Sequence, residues 1–487
     1  MNLGQMLDDS CKRFAGNIVL IHDGDKLTYR ELLIAVNSLS NHLRGLGIQK
    51  GDKVAIMLPN APEFIISYFA ILKLGAVVVT LNTQSTSYEL SHFLGNSDAR
   101  ALITTGYTVG RIDPIQDSLP LFKNVIFTSG LTAPSPFKDA VEAGPFTFEM
   151  PDIAGSDPAV MIYTSGLTGK PLGAVLTHHN LLTQSDLLGD CCECNETDCG
   201  LAVIPFYHAF GASANMLGVI KLGACLVLMD VFNIEGIFRT ITEEKVTFIN
   251  AVPRLFLGMV LHPGAEKIKM PSLKFCITGG SAMPPEFMPA FEQTFGVRLR
   301  EGYGLTEASP ICTISRIQME LRPGSIGTLI PGAEAKIVDD QGCEVPPGEA
   351  GELLFRGPNV MTEYYKDKAA TAEVIKDGWL YTSDLARMDK DGFFYLTGRK
   401  KRMIITSGYN VYPREVEMVL NMHPAVKDSM VIGKEDLMRG EVLKALVIKK
   451  DGMPDTEKSI LRHCRMYLST YKVPRELEFV ESFQVTD

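Results

Sequence analysis

One unit occurs twice in this chain and constrains what the chain can fold into. The apolar run Val54-Ala55-Ile56-Met57-Leu58-Pro59 ends in proline. An apolar stretch follows, closes on Lys73-Leu74-Gly75 and resumes as Ala76-Val77-Val78-Val79. The same order returns at Leu201-Ala202-Val203-Ile204-Pro205, then Lys221-Leu222-Gly223, then Ala224-Cys225-Leu226-Val227. Each copy reads as strand, proline, helix, glycine cap, strand, because proline interrupts a strand and glycine takes the positive φ that ends a helix. Strands joined through helices pair in parallel. Two related α/β halves are therefore expected, with ligands at the carboxyl ends of the strands. The stretches from Phe64 to Leu81 and from Met216 to Met229 are apolar enough to suggest a membrane. Each holds a lysine and a helix-stopping glycine in mid-span, so no transmembrane segment is expected.

A chain of 487 residues is too long for one ordinary domain. Its net charge of -10 argues against a nucleic-acid surface. The first residues carry neither a basic n-region nor an apolar h-region, and read as an amphipathic helix instead of a signal peptide. Ten cysteines are scattered along the chain, several in apolar strings such as those of Cys225 and Cys276. That pattern fits a reducing, cytoplasmic setting. Cys191, Cys192, Cys194 and Cys199 cluster, but without paired C-x-x-C knuckles or a nearby histidine in sequence, so a metal is not expected there.

Thr28-Tyr29-Arg30-Glu31 is a capping box opening a helix towards His42. From about Arg322 the texture changes to short strand-like runs separated by Gly/Pro turns, which reads as a small β subdomain over 322–398. The basic run Arg399-Lys400-Lys401-Arg402 is the natural boundary. The runs after it, Val416 to Leu420, Val426 to Ile432, Leu443 to Ile448 and Ser459 to Leu468, describe a compact α+β unit. The expected organisation is a large domain over 1–398, a hinge at 399–402 and a mobile small domain over 403–487.

The most informative segment is Tyr163-Thr164-Ser165-Gly166-Leu167-Thr168-Gly169-Lys170-Pro171-Leu172-Gly173, which follows the apolar run Ala159-Val160-Met161-Ile162. Strand into glycine- and hydroxyl-rich loop is either an ordinary turn or a cradle that brings N–H and hydroxyl groups up to phosphate oxygens. It is not the P-loop, because Gly166 and Lys170 have the wrong spacing and Pro171 follows the lysine.

This loop resembles the T-S-G-T-T-G-x-P-K-G signature of the adenylate-forming acyl-CoA synthetase (AMP-binding enzyme) family. Leu167 stands where a hydroxyl is usual, and Leu172 where the lysine is usual, leaving Lys170 as the nearby cation. Further segments resemble the same family in the same order. Glu301-Gly302-Tyr303-Gly304-Leu305-Thr306-Glu307 is similar to its Y-G-x-T-E segment. The resemblance implies that Tyr303 stacks on adenine, Thr306 contacts the α-phosphate and Glu307 holds Mg²⁺. Trp379-Leu380-Tyr381-Thr382-Ser383-Asp384 resembles its T-G-D segment, with Ser383 in place of glycine and Asp384 implied at the ribose. Gly398-Arg399-Lys400-Lys401 resembles its hinge, with Arg399 at ribose or phosphate and Lys401 as pivot. Pro205 to Gly211 resembles the segment that puts a histidine, here His208, at the acyl mouth beside Phe210. Phe275 to Ala282, with Gly279, Gly280 and Ser281, resembles the strand and loop that flank adenine and acyl group. Thr406 to Pro413, with Ser407, Gly408 and Tyr409, resembles the loop lining the pantetheine tunnel. Near the end Tyr471-Lys472-Val473-Pro474 matches, and the family's adenylation lysine would fall just past Asp487.

The implied activity is that of a carboxylate–CoA ligase using ATP, Mg²⁺ and coenzyme A. Phosphate contacts would come from Thr164, Ser165, Gly166, Thr168, Gly169 and Lys170, with Glu301 and Gly302 beside the nucleotide. The apolar strings around His208 to Gly211 and Val252 to Met259 suggest an apolar acid. Two alternatives stay open: a relative that binds AMP or acyl-CoA with impaired adenylation, and an enzyme loading another acceptor. The expected partner is a small carboxylic acid, with self-association as a homodimer left open.

Overall fold

The computed structural model describes residues 1–129, 135–164, 170–230, 233–400, 403–450 and 456–483. Both copies of the repeated unit fold as their patterns dictate. Lys53–Met57 and Val77–Thr80 pair in parallel, with helix Pro62–Lys73 between them. Cys199–Ala202 and Cys225–Leu228 also pair in parallel. Gly75 and Gly223 take positive φ where their helices end, at 71° and 78°.

Every residue of the first helix from Phe64 to Lys73 is buried. Lys73 is tolerated there because its ammonium reaches Asp8 Oδ1 at 2.5 Å and Asn37 Oδ1 at 2.7 Å, so a buried charge is paired and hydrogen-bonded. The second copy departs from a plain α-helix. A π-helix over Gly211–Leu217 precedes a short α-helix, Gly218–Leu222. An outside donor helps to hold it: Asn250 Nδ2 donates to the Ala214 carbonyl at 3.2 Å. A side chain at position 211 would overlap the Pro205 carbonyl, so the helix starts directly against the loop that carries His208.

Among the described residues the two copies grow into two large sheets. One has seven strands, with a parallel centre built from Pro158–Thr164, Val77–Thr80, Lys53–Met57, Ala99–Thr104 and Asn124–Phe127. Leu172–Thr177 and Glu363–Tyr364 extend it antiparallel at one edge. The other has nine strands, including the parallel run Arg298–Gly304, Phe275–Thr278, Phe248–Ala251, Cys199–Ala202 and Cys225–Leu228. The largest core lies between the sheets. Ile56, Val78 and Ile162 of one sheet and Ala202, Leu226 and Ile277 of the other bury against helices that include Tyr29–Gly45 and Pro62–Lys73. Separate cores cover the outer faces, so the large N-terminal domain is layered helix, sheet, helix, sheet, helix. The capping box is present: Thr28 Oγ1 accepts from Glu31 N–H at 3.2 Å and Glu31 Oε2 accepts from Thr28 N–H at 2.8 Å.

The segment over 322–398 forms hairpins around Glu334–Val338, Ala350–Arg356, Trp379–Met388 and Phe394–Arg399. It is less self-contained than its texture suggests. Thr328–Leu329 joins the nine-stranded sheet and Glu363–Tyr364 joins the seven-stranded one. After it comes a small C-terminal domain. The strands Val426–Asp436 and Gly440–Lys449 run longer than their apolar centres, and the helices Pro413–Asn421 and Glu457–Tyr467 pack on them. None of the described helices is long and apolar enough to cross a membrane.

Candidate active site

The carboxyl ends of strands from both large sheets, the hairpin region and the small domain meet around a cavity of about 450 Å³. Thr164, at the end of its strand, donates from Oγ1 to Glu307 Oε1 at 3.2 Å, and Tyr364 O–H donates to the same oxygen at 2.7 Å. Thr306 and Glu307 form a short 3₁₀ turn just after Arg298–Gly304. Across the cavity Asp384 is held at both oxygens. Arg399 Nε–H donates to Oδ1 at 2.7 Å and Tyr303 O–H donates to Oδ2 at 2.6 Å. A carboxylate has about four lone-pair sites, so Asp384 keeps capacity for ligand hydroxyls. Ser383 sits at φ 62°, in the left-handed region. The backbone conformation here is one that glycine adopts freely and serine does not.

Glu301 is buried at the cavity wall, where its Oε1 accepts from Met283 N–H at 3.2 Å. Burial pushes its carboxyl up to about 8, so the group is largely neutral at pH 7. His208 is pushed down to about 4 by burial. Its Nδ1 accepts from Phe210 N–H at 3.2 Å, so the neutral ring carries its proton on Nε2. Phe210, Ile277, Ile311 and Ile314 give the cavity apolar wall.

The small domain closes one side. Gly408, at φ 85°, lies against Gly280 and Val252, and a Cβ on it would stand 2.6 Å from Val252 Cγ1. Tyr409 O–H meets Tyr207 O–H at 2.9 Å, and its ring stacks on Tyr471 at 4.4 Å and lies at 87° to that of His208.

The cavity lining thus brings together Thr164, His208, Phe210, Gly279, Gly280, Ser281, Glu301, Gly302, Tyr303, Thr306, Glu307, Asp384, Arg399, Gly408 and Tyr409. Ser165, Gly166, Thr168, Gly169 and Lys401 lie outside the described residues. Two of the expected site residues and one apolar string fall outside the lining. Lys170 is exposed and not in the lining, whereas Pro171 and Leu172, which opens the next strand, are part of it. Ser407 is also outside the lining. At φ 53° it turns the chain, and its N–H bonds the Arg439 carbonyl. The string from Val252 to Met259 does not wall the cavity: Leu255, Phe256, Leu257 and Met259 fill the outer core as one buried helix. Tyr364, Tyr207 and Tyr471 were not legible as site residues, since only the fold brings them to Glu307 and Tyr409. No three His, Cys, Asp or Glu side chains among the described residues are grouped to hold a metal, and Cys191, Cys192, Cys194 and Cys199 are buried.

Residues 7–365 match the family model described as AMP-binding enzyme, and residues 415–487 match that described as AMP-binding enzyme C-terminal domain. The chain belongs to the AMP-binding enzyme family. A long-chain-fatty-acid–CoA ligase of Bacillus subtilis (strain 168) is 36% identical, over 98% of this chain and 90% of that protein. A feruloyl-CoA synthase of an Amycolatopsis species is 34% identical, over 96% of this chain and 92% of that protein. Among solved structures, the amide bond synthetase McbA from Marinactinospora thermotolerans aligns with a TM-score of 0.91 at 26% identity, over 100% of this chain and 97% of that one. With the relatives, the family makes this protein an ATP-dependent carboxylate–CoA ligase, an acyl-CoA synthetase in the general sense.

Proposed function

We propose that this ligase activates an apolar carboxylic acid through an acyl-adenylate and passes the acyl group to coenzyme A. The observation that carries this reading is one cavity shared by three sets of groups: Glu307, Asp384 and Arg399; the apolar wall of Phe210 and Ile277; and the Gly408–Tyr409 loop of the small domain. In the first half-reaction a carboxylate oxygen attacks the α-phosphorus of ATP, and the bond to pyrophosphate breaks. In the second the sulfur of coenzyme A attacks the acyl carbonyl, and the bond to AMP breaks. No enzyme nucleophile takes part, so the protein acts by positioning and by offsetting charge.

Tyr303 would face adenine, and Asp384 with Arg399 would hold the ribose. Thr164 and the loop after it, with Thr306, would hold the phosphates. His208, neutral at physiological pH, would orient the acyl end as a donor and would not supply a cation. The hard oxygens of Glu307 and Thr164 suit Mg²⁺, which when bound would offset polyphosphate charge. The family relatives that are long-chain-fatty-acid and feruloyl-CoA enzymes agree with an apolar acid. Ten free cysteines, most of them buried, favour a reducing compartment such as the cytoplasm. The proposed hinge is 399–402, between the domains over 1–398 and 403–487.

The test is pyrophosphate release over a panel of fatty, aryl and small polar acids, followed by acyl-CoA formation with the best of them. Release with apolar acids and a coenzyme A thioester as product supports the reading. A preference for polar acids, or transfer to amines in place of coenzyme A, overturns it.

A further inference from the structure

The small domain is fastened to the large one by a buried charged cluster, and Glu89, Ser469 and Lys472 form part of the cavity lining. Glu89, on the helix Ser87–Asn96 of the large domain, is 4% exposed. Its Oε1 accepts from Lys472 Nζ at 2.9 Å and its Oε2 from Ser469 Oγ at 2.6 Å, both on the small domain. Lys472, 3% exposed, has a second partner in its own domain, Glu415 Oε1 at 2.6 Å. Thr86, the cap of the Glu89 helix, donates from Oγ1 to the Tyr467 carbonyl at 2.9 Å. In this arrangement Gly408 and Tyr409 face the cavity.

The geometry points to Glu89 as a positioning residue, a releasable latch that selects the orientation in which the small domain presents its Gly408–Tyr409 loop. The pairing is asymmetric in a way that suits a latch. If the small domain swings away, Lys472 keeps Glu415. Glu89 returns to water and keeps the capping bond it accepts from Thr86 N–H at 3.0 Å. Neither charge is then left buried and unpaired, which would be the costly outcome. Docked, Glu89 loses its hydration and gains Lys472 and Ser469. Its carboxyl reflects the balance: burial acts to raise it, but Lys472, Ser469 and Thr86 together hold it below the usual range. Glu415 holds Lys472 in this arrangement and travels with it on the small domain, so this contact favours neither orientation. One of its oxygens, Oε2, is buried with no partner in the docked arrangement.

This inference rests on the two-step reading above, and its test separates the two. Pyrophosphate release and conversion of supplied acyl-AMP plus coenzyme A to acyl-CoA are measured independently on the full chain. Glu89→Gln keeps the shape and the cap but removes the charge. It should slow thioester formation by about tenfold or more while leaving pyrophosphate release within about twofold, as expected for a shift in a two-state population. Ser469→Ala, which removes the second donor that Glu89 accepts from the small domain, should give the same split in smaller measure. A loss confined to one step cannot come from general loss of fold. Equal losses in both steps, or no change in either for Glu89→Gln, overturn the latch. Failure of the unaltered protein to release pyrophosphate with any acid or to use any acyl-AMP would overturn the functional reading itself.

Discussion

Tyr303 and Asp384, 81 residues apart in sequence, share a hydrogen bond of 2.6 Å in which the phenol donates to the carboxylate. The bond ties the end of the Arg298–Gly304 strand to the Trp379–Met388 strand, and Arg399 holds the other carboxylate oxygen. The proposed ribose acceptor is therefore fixed in place by two donors, one of them the proposed adenine platform. Tyr303→Phe keeps the ring and frees Oδ2. We expect the KM for ATP to rise by about three- to tenfold, the scale of one hydrogen bond to a charged group, with kcat and the KM for coenzyme A little changed. An unchanged KM for ATP would remove Asp384 from the nucleotide site.

Glu307 accepts from both Thr164 and Tyr364 at the side of the cavity proposed to take the phosphates. Glu307→Gln should lower pyrophosphate release by about two orders of magnitude, the loss expected for one strong electrostatic contact in a water-poor site. Thioester formation from supplied acyl-AMP should change far less. Wild-type release by the variant would remove Glu307 from the proposed magnesium site.

Glu301 links activity-site geometry to the pH dependence of stability. Its folded-state value of about 8 lies above the ordinary 4.5. Between those values the folded chain holds a proton that the unfolded chain has lost. The contribution to stability is thus complete at acid pH and is lost as pH rises through about 8, with a slope of up to about 1.4 kcal/mol per pH unit. Glu301→Gln cannot titrate and keeps an acceptor for Met283 N–H. Denaturation curves should show the variant gaining on the parent steadily between about pH 5 and pH 8. Parallel stability curves for the two proteins would mean that Glu301 is ionised in the folded state.

Ser383 occupies the left-handed region, where a Cβ costs about 1–2 kcal/mol, while glycine costs about 0.5–1 kcal/mol more chain entropy on folding. Ser383→Gly should therefore stabilise by about 0.5–1 kcal/mol, seen as a higher Tm. The Ser383 N–H bond to Glu352 Oε1 at 3.0 Å does not involve the side chain and should persist. A lower Tm would show that the serine hydroxyl has a partner worth more than the strain.

The doubled strand–Pro–helix–Gly–strand unit was legible because burial on both faces of a parallel sheet forces long apolar runs, and glycine and proline mark their ends. Motif residues such as Tyr303, Glu307, Asp384 and Arg399 were legible as a set because the segments that carry them resemble the family's motifs in the same order, although Asp384 lies in the middle of its strand. For Lys170 and the string from Val252 to Met259, sequence gives the type of a side chain but not the direction in which the backbone points it. Lys170 is exposed, and Leu255, Phe256, Leu257 and Met259 face the outer core. The contacts Tyr364–Glu307, Tyr207–Tyr409 and Glu89–Lys472 join segments 57, 202 and 383 residues apart, and no local pattern encodes them. The π-helix at Gly211–Leu217 also escaped, since its outside partner, Asn250, comes from a different strand.

The two-residue strand Glu363–Tyr364 looked like a minor edge, yet it grips both sides of the phosphate end. It pairs with Val175 and Ala174 on the strand that follows the hydroxyl-rich loop, while Met361 N–H bonds the Glu307 carbonyl at 2.8 Å and Tyr364 bonds the Glu307 carboxylate. The segment works as a splint: loop and carboxylate are set at one spacing by a piece of backbone that belongs to neither. A change at Met361 or Thr362 would therefore mimic a chemical lesion while being mechanical in origin. Any redesign of nucleotide affinity in this enzyme has to begin by leaving the splint alone.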